Sequence, residues 1–342
     1  MTFRCNFKCI YCIQGSNYIS YPTITKSIID ETINWIAKYV KLFNIQDVSV
    51  DLFGGEPSLV HDKNLYLLAK LKEKFEKKID YIQMVTNGYF YTKAKIRDLF
   101  KNGVRAVQIT IDGPPHVHNL RRPLMNGSAT FDRILNNLLA FKEEGFIINI
   151  LTVVDMQNAA YLQDMIDIVY DKFEHELEGV YWAFGPVVPD IASIQHIKNF
   201  YIGKEEEILK RISKAKSYAK TLGFNVNDDY HITTCFREFH HAYLVSPEGY
   251  LYKCYSTFGN RNYAIGSVKD SPKKIFEIAR GIADINPWDS ECMKCQYFPI
   301  CRGGCQYMAS LENNGKYGAK WCDKDNLEKM IKNDLHFKVF GD

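Results

Sequence analysis

Cys5-Asn6-Phe7-Lys8-Cys9-Ile10-Tyr11-Cys12 is the segment around which the rest of this 342-residue chain is organised. Its three cysteines are separated by three and then two residues, so one short loop can direct three thiolates to one point. Cysteine thiolates hold iron–sulfur clusters in this way, and a fourth local cysteine is missing here. A cubane with three cysteine ligands keeps one iron open, and an open metal position is where a substrate or cofactor binds. The stretch therefore predicts a catalytic metal loop. The alternatives are a zinc knuckle, which normally shows four local ligands, or a cluster used only for electron transfer.

The composition limits the classes of protein to which this chain can belong. With 46% hydrophobic residues, 342 residues can bury a large core, which predicts one large domain and a smaller one. The 43 basic and 40 acidic residues give a net charge of +3, which indicates neither nucleic-acid nor membrane binding. No apolar run reaches the ~20 residues that span a bilayer, and no signal peptide precedes the first cysteine. Ten cysteines in metal-like spacings favour reduced thiols in an anoxic or strongly reducing cytoplasm over disulfides.

From residue 25 onward, helical and strand patterns alternate. After a first helix, strands are predicted over 47–53, 80–86, 104–111, 146–154 and 179–184, and helices over 62–77, 92–102, 129–144 and 159–173. This alternation predicts an α/β fold with a parallel sheet, here a six-stranded partial (β/α)6 barrel of the triosephosphate isomerase (TIM) type. Its active site would lie at the carboxyl ends of the strands.

Two regions interrupt this alternation. Residues 1–4 leave room only for a stub of strand, so either the barrel opens early or the chain is shortened. Residues 181–200 contain Pro186 and Pro189 and show little helical periodicity, which predicts a long connection across the barrel mouth. A helix is predicted next, over 204–222.

Polar or flexible residues follow each of three strands. If the N-terminal stub is counted as the first strand, Gly54-Gly55-Glu56 follows the second strand (47–53). Thr86-Asn87-Gly88 lies at the end of the third (80–86), and Asp112-Gly113-Pro114 follows the fourth (104–111). Glycine lets the backbone approach a ligand closely, and a carboxylate such as Glu56 can receive an ammonium group. An ordinary strand-to-helix turn is the alternative interpretation of the Gly-Gly-Glu segment.

Cys5-x3-Cys9-x2-Cys12, with Tyr11 before the last cysteine, resembles the signature of radical S-adenosylmethionine (SAM) enzymes. In that family the open iron of a [4Fe-4S] cluster is chelated by the amino and carboxylate groups of SAM. An electron from the cluster then cleaves SAM to a 5'-deoxyadenosyl radical, which abstracts hydrogen from a substrate. The resemblance implies that Gly54-Gly55-Glu56 binds the SAM amino group. The residues that it places at the cofactor are Tyr11, Gly54, Gly55, Glu56, Asn87, Thr110, Asp112 and Arg122.

Asp112 and the later His118-Asn119-Leu120-Arg121-Arg122 resemble a segment of the peptide-modifying members of that family. Arg122 stands where those members carry arginine, whereas Asn119 replaces their more usual aspartate. The resemblance assigns Thr110 and Arg122 to the SAM carboxylate or ribose. Arg121 is equally well explained as a basic residue of a surface loop.

A second cysteine system lies beyond Phe224. The spacing Cys235-x13-Gly249-x4-Cys254 is followed by Cys292-x2-Cys295-x5-Cys301-x3-Cys305 and then by Cys322. Pro247-Glu248-Gly249 predicts a hairpin that returns Cys254 towards earlier residues. All seven cysteines match the SPASM domain, which this region resembles and which holds two auxiliary [4Fe-4S] clusters. A pair of structural zinc sites is the alternative, because cysteine-rich sites bind either metal.

The resemblance divides the seven cysteines between the two auxiliary clusters. It assigns Cys292, Cys295, Cys301 and Cys322 to a distal cluster, and Cys235, Cys254 and Cys305 to a proximal one. The sulfatase-maturating relatives carry another cysteine where this chain has His241. His241 is therefore either an iron ligand, as histidine is in Rieske centres, or a packed or solvated histidine. If that position is vacant, a substrate thiolate would complete the proximal cluster.

These features predict a barrel over residues 1–200, a connecting helix over 201–223 and a SPASM domain over 224–342. The expected cofactors are SAM and three [4Fe-4S] clusters, one of which binds SAM. The predicted function is maturation of a ribosomally made precursor peptide, with a thioether from a cysteine sulfur to a carbon as the favoured product. The expected partners are a flavodoxin- or ferredoxin-type electron donor and a separate protein that recognises the leader peptide.

Several other functions stay open. A sulfatase-maturating enzyme, which forms formylglycine, would carry an aspartate base after the cysteine matching Cys254, but Tyr255 stands there. Peptide epimerisation needs a hydrogen donor such as a thiol, and all ten cysteines already match cluster motifs. Carbon–carbon crosslinking is a further possibility. A non-catalytic iron–sulfur electron carrier would need neither an open cluster nor Gly55-Glu56 at a strand end.

Overall fold

The computed structural model describes residues 1–13, 22–187, 194–226, 235–313 and 318–340. Its main sheet has six parallel strands in sequential order, which confirms the predicted partial barrel, but the sixth strand is Asn225–Val226 and the N-terminal stub is not one of them. The strands are β1 (Val48–Leu52), β2 (Ile79–Thr86), β3 (Ala106–Thr110), β4 (Ile147–Val154), β5 (Val180–Pro186) and β6 (Asn225–Val226).

Helices connect these strands and continue into the cysteine-rich region. They are α1 (Lys26–Leu42), α2 (His61–Phe75), α3 (Lys93–Lys101), α4 (Pro115–Arg121), α5 (Phe131–Glu143), α6 (Leu162–Lys172), α7 (Ile194–Phe200), α8 (Glu205–Thr221), α9 (Pro272–Ala283), α10 (Phe298–Cys301), α11 (Gln306–Glu312) and α12 (Lys324–Phe340). No helix in the described part of the chain combines the length and apolar character needed to cross a membrane.

The two faces of the barrel sheet differ in polarity. Alternate residues of β4 face the helices, and Ile148 and Ile150 are at most 1% exposed there. On the opposite face, the Asn149 side chain donates to Gln83 of β2 at 3.3 Å. The apolar face therefore builds the core, while the barrel interior carries polar side chains.

The N-terminal stub lies along the continuation of β1. The Met1 amino group donates to the Phe53 carbonyl at 2.9 Å, and the Gly55 amide donates to the Thr2 carbonyl at 2.7 Å. A Cβ atom on Gly55 would lie 2.3 Å from the Arg4 carbonyl oxygen. The Gly-Gly pair is therefore required for the approach of the stub, which carries the first cysteine.

We expect Gly55→Ala to lower the free energy of unfolding by about 1–3 kcal/mol, because the added methyl group would have to push backbone aside. Gly185→Ala is the matched control, since a Cβ atom there meets nothing within 4 Å. Its stability should change by less than about 1 kcal/mol. Urea unfolding followed by circular dichroism measures both variants, and equal stabilities would contradict the steric requirement at Gly55.

The predicted long connection over residues 181–200 is wrong in two places. Strand β5 continues to Pro186, which pairs with Val154, and α7 occupies Ile194–Phe200. Residues 188–193 of this predicted connection lie outside the described residues. Pro186 is tolerated because it is the last strand residue, where a missing amide donor costs little. The alternation of buried Trp182 and Phe184 was the strand signal, and the prolines obscured it.

The cysteine-rich region contains a three-stranded antiparallel sheet of β7 (Leu244–Val245), β8 (Tyr250–Tyr252) and β9 (Gly266–Ser267). The predicted hairpin joins β7 to β8, and Gly249 at its turn has φ +86°. Helix α1 packs on both regions. Ile29 and Ile33 enter the barrel core, whereas Trp35 and Tyr39 join a second core with Leu251 and Ile275. This shared helix positions the cysteine-rich region beside the barrel.

Candidate active site and cysteine-rich sites

The three-cysteine loop is clamped against the segment that follows α4. The Lys8 amide donates to the Pro123 carbonyl at 2.9 Å, and the Ile10 amide donates to the Arg121 carbonyl at 3.1 Å. Phe7 is 1% exposed and anchors the loop in the core. The three thiols are free and half-buried, so backbone pairing fixes the loop before any metal binds.

Burial shapes the acidity of these thiols. It raises the pKa of Cys5 to about 12, and the Glu56 charge adds to this effect. Burial also raises the pKa of Cys9 to about 11, while the Arg122 guanidinium opposes the rise. Metal ligation needs the thiolate form of cysteine and releases the thiol proton. Bound iron and the Arg122 guanidinium would therefore both favour the thiolate of Cys9. Three thiols on one fixed loop are a donor set that fits a [4Fe-4S] cluster with an open iron.

Glu56 holds the ends of β1 and β2 together. Its carboxylate is fully buried and accepts from the Ser58 amide at 2.8 Å, the Thr86 hydroxyl at 2.6 Å and the Asn87 amide at 2.7 Å. Burial raises the pKa of Glu56, and these hydrogen bonds oppose the rise. The side chain therefore acts as a positioning group, and its predicted ammonium contact stays a prediction.

Asn87 connects this anchor to the cysteine loop. Its side-chain amide donates to Asn6 Oδ1 at 2.8 Å and lies 4.0 Å from the Cys5 sulfur. Because Glu56 fixes the Asn87 backbone, the end of β2 positions the start of the loop.

The structure brings Tyr11, Asp112 and Arg122 together. Tyr11 donates its hydroxyl hydrogen to Asp112, and Arg122 Nη1 donates to the Tyr11 hydroxyl at 2.7 Å. The other oxygen of Asp112 accepts from the Val153 amide at 3.0 Å. Thr110 ends β3 two residues earlier. This chain of contacts places Arg122 beside the cysteine loop, and its contact with a cofactor remains a prediction.

The surface-loop interpretation of Arg121 is wrong. Arg121 is fully buried, and its Nη1 donates to both carboxylate oxygens of Asp155 at 2.7 and 2.8 Å. Although burial acts to raise it, the pKa of Asp155 is lowered by the hydrogen bond with His196 and by the charge of Arg121. Two adjacent arginines in the sequence are typical of a solvated loop. Asp155, which pairs with Arg121, is distant in the sequence and is brought to it only by the fold.

The polar residues that follow β4 were not among the predicted site residues. Asp155 and Asn158 are fully buried, and the Asn158 side chain donates to the Asp112 carbonyl at 2.8 Å. His196 of α7 hydrogen-bonds Asp155. Asp155 directly follows a strand, which is the same signal that identified Asp112, whereas His196 had no comparable signal.

Asn119 stands where the peptide-modifying family members more usually carry aspartate, and the structure explains why asparagine is suitable there. Its side-chain oxygen accepts from the Thr130 amide at 2.8 Å and the Phe131 amide at 2.9 Å, at the start of α5. An amide oxygen accepts such bonds as an aspartate would, so the helix start is still capped.

The cysteine-rich region brings its cysteines together in two places. A cavity of about 510 Å³ is lined by four of them, Cys292, Cys295, Cys301 and Cys322. The Trp321 amide donates to the Gly303 carbonyl at 3.1 Å, which brings the segment with Cys322 beside α10. Across the described residues, no three histidine, cysteine, aspartate or glutamate side chains converge as a single-ion site requires. The four thiols instead surround a space.

The other three cysteines lie within electrostatic reach of one another. Burial is the main cause that raises the pKa of Cys254, and the charges of Cys235 and Cys305 add to it. The division of the seven cysteines between two clusters and the ligand assignment stay predictions.

His241 lies in an aromatic cluster. Its Nδ1 hydrogen-bonds the Tyr39 hydroxyl at 2.8 Å, and its ring stacks on Phe276 with centroids 5.4 Å apart. Burial lowers its pKa. These contacts favour the packed-histidine interpretation over the predicted iron ligand.

A second cavity of about 480 Å³ separates the barrel from the cysteine-rich region. Strand β1 and α1 form one side, and residues that flank Cys235 and Cys254 form the other. Phe53, next to the Gly-Gly pair, contacts Tyr255, next to Cys254, with ring centroids 5.5 Å apart. The cavity therefore extends from Phe53, next to the Gly-Gly pair, to Tyr255, next to Cys254.

Comparison with known proteins agrees with this geometry. Residues 1–169 match the Radical SAM superfamily. The chain is 24% identical to the cysteine-type anaerobic sulfatase-maturating enzyme of Clostridium perfringens, over 88% of this chain and 86% of that protein. It is also 24% identical to the radical SAM cyclopropyl synthase TigE of Paramaledivibacter caminithermalis, over 92% of this chain and 67% of that protein.

Two solved structures share the fold. The chain superposes on anSMEcpe with bound AdoMet with a TM-score of 0.75, at 19% identity, over 99% of this chain and 96% of that one. It superposes on Streptococcus suis SuiB bound to the precursor peptide SuiA with a TM-score of 0.65, at 15% identity, over 94% and 73% of the two chains.

Proposed function

Because this chain carries a radical SAM domain over residues 1–169, we propose that it is a radical SAM maturase of a ribosomally made peptide. The observation that carries the proposal is the clamped loop of Cys5, Cys9 and Cys12 at the carboxyl ends of the strands. Similarity to maturases over nearly the whole chain, including the cysteine-rich region, supports a peptide substrate.

Within this proposal, Cys5, Cys9 and Cys12 hold a [4Fe-4S] cluster. The Gly54-Gly55 backbone, Thr110 and Arg122 bind SAM next to it. When bound, the cluster and SAM supply a radical that removes hydrogen from a substrate carbon. The chain's own groups position this chemistry, because Tyr11 and Asp112 hold the Arg122 guanidinium beside the loop.

The cysteine-rich region is proposed as a SPASM domain with two auxiliary [4Fe-4S] clusters, which gives three clusters in all. Cys292, Cys295, Cys301 and Cys322 would hold one of them, and Cys235, Cys254 and Cys305 the other. His241 is engaged with Tyr39, so the second cluster has three cysteine ligands and room for a substrate thiolate. Iron coordination would favour the deprotonated form of the substrate thiol, which supports a thioether as the product.

Formylglycine formation is the second candidate, favoured by the match to sulfatase-maturating enzymes over most of the chain. Against it, Tyr255 follows Cys254, where that group carries an aspartate. A flavodoxin- or ferredoxin-type donor and a separate leader-peptide recognition protein are the proposed partners.

High-resolution mass spectrometry of a peptide encoded beside this gene, co-expressed anaerobically with the protein, tests the proposal. We expect a loss of two hydrogens per site and one cysteine that no longer alkylates. Cys5→Ala is the control and should leave the peptide unchanged. An unchanged peptide with the intact protein would contradict thioether formation on it, and formylglycine on a sulfatase peptide would favour the second candidate.

A further inference from the structure

The cavity of about 480 Å³ between β1 and the cysteine-rich region contains a carboxylate that the proposed function does not use. Successive residues of β1 point to opposite faces, so Asp51 points away from the core in which Leu52 is buried. The Asp51 side chain is exposed to the cavity.

Asp51 has an environment suited to proton transfer. Among the described residues no cation forms an ion pair with it, and Gln83 of β2 hydrogen-bonds it. Partial enclosure raises the pKa of Asp51, while the Gln83 hydrogen bond opposes the rise. The carboxylate is therefore neither neutralised by a salt bridge nor held strongly acidic.

Asp51 lies near Tyr255, the residue next to the predicted cluster ligand Cys254. Tyr255 follows Cys254, lines the same cavity, and is held between Phe53 and Phe236 with ring centroids 5.5 and 4.9 Å away. Asp51 is also within electrostatic reach of Tyr255. The carboxylate therefore lies in the cavity between β1 and the residue that follows Cys254, and we place the proposed substrate there.

We propose that Asp51 is the group that accepts the proton which the peptide loses during its oxidation. This inference rests on the proposed function. In thioether formation the C–H and S–H bonds break and a C–S bond forms. One hydrogen leaves as an atom to the SAM-derived radical, the thiol proton goes to Asp51, and the remaining electron passes to an iron–sulfur oxidant.

The test separates SAM cleavage from product formation in the cluster-loaded protein. Asp51→Asn should retain 5'-deoxyadenosine formation within about twofold, while product falls by about 100-fold, the lower end of what a general base contributes. Peptide affinity of the unreduced protein, measured by fluorescence anisotropy, should stay within about twofold. Asp80→Asn is the matched control, because Asp80 is an exposed carboxylate on β2 that lies outside this cavity.

A compensating variant tests whether a carboxylate in this cavity is what matters. Adding Tyr255→Asp to Asp51→Asn places a carboxylate across the same cavity and should restore at least about a tenth of the product. Product formation by Asp51→Asn at the parent rate would overturn the inference, as would an equal loss of SAM cleavage and product, or no gain in the double variant. Absence of SAM cleavage in the parent protein would instead refute the proposed function.

Discussion

Cys5→Ala should abolish 5'-deoxyadenosine formation, with a loss of more than about 100-fold, because even outer-shell changes at metal sites cost 10–100-fold. Cys5 is one of only three thiols on the clamped loop; the Asn87 side-chain amide lies 4.0 Å from its sulfur, and Gly55 lies against the backbone of the preceding residue, Arg4. A cluster with two cysteine ligands would lose both its hold on the protein and its geometry. Chromatography of anaerobic reactions with SAM and dithionite measures the effect.

Cys295→Ala is the matched control for this result. Cys295 lines the cavity of about 510 Å³ in the cysteine-rich region, away from the clamped loop. This variant should keep SAM cleavage and lose peptide product, and its iron content should fall by about one cluster. SAM cleavage by Cys5→Ala equal to that of the unmodified protein would refute the placement of radical chemistry at the loop.

Arg121→Ala should lower the free energy of unfolding by about 3–5 kcal/mol, the cost of removing one partner from a buried ion pair. Both partners are fully buried, and the change would leave the Asp155 carboxylate without its guanidinium partner. The Arg121 guanidinium also lies 5.1 Å from the Tyr11 ring. Anaerobic urea unfolding of the apoprotein, followed by circular dichroism, measures the loss without a contribution from the clusters.

Two further variants test whether that loss of stability comes from breaking a buried ion pair. Arg97→Ala removes an exposed arginine that lies 3.6 Å from Glu144, and it should cost no more than about 1 kcal/mol. Arg121→Met combined with Asp155→Leu removes both charges of this pair and should be more stable than Arg121→Ala, because the Asp155 carboxylate is then not left buried without Arg121. If Arg121→Ala were as stable as Arg97→Ala, the pair would not hold α4 against the end of β4.

The predictions for Cys5 and Arg121 concern parts of the structure that contact each other. The loop that carries Cys5, Cys9 and Cys12 is bonded to residues 121–125, and that segment is held in place by the buried Arg121. Stability and cofactor binding should therefore be coupled at this end of the barrel. A variant that loosens α4 is expected to weaken cluster retention as well as the fold.

Local patterns were sufficient for most of the barrel. The helical spacing in α1 and the buried runs of β2 and β4 identified these elements, because the period of apolar residues directly reflects which face is buried. Glu56, Asn87 and Asp112 were placed correctly at strand ends for the same reason. The prediction failed at residues 181–200, where prolines hid the end of β5 and the short helix α7.

Three features could be recognised from the sequence alone: the three-cysteine loop, the alternation of barrel strands and helices, and the spacing of the second cysteine system. Each of these depends on residues close together in the chain. Only the tertiary structure decided that Arg121 is buried against Asp155, that His241 packs on Phe276, and that Asp51 shares a cavity with Tyr255. These pairs are far apart in sequence, and burial and charge pairing between them depend on how the layers pack. No local period or spacing encodes such contacts.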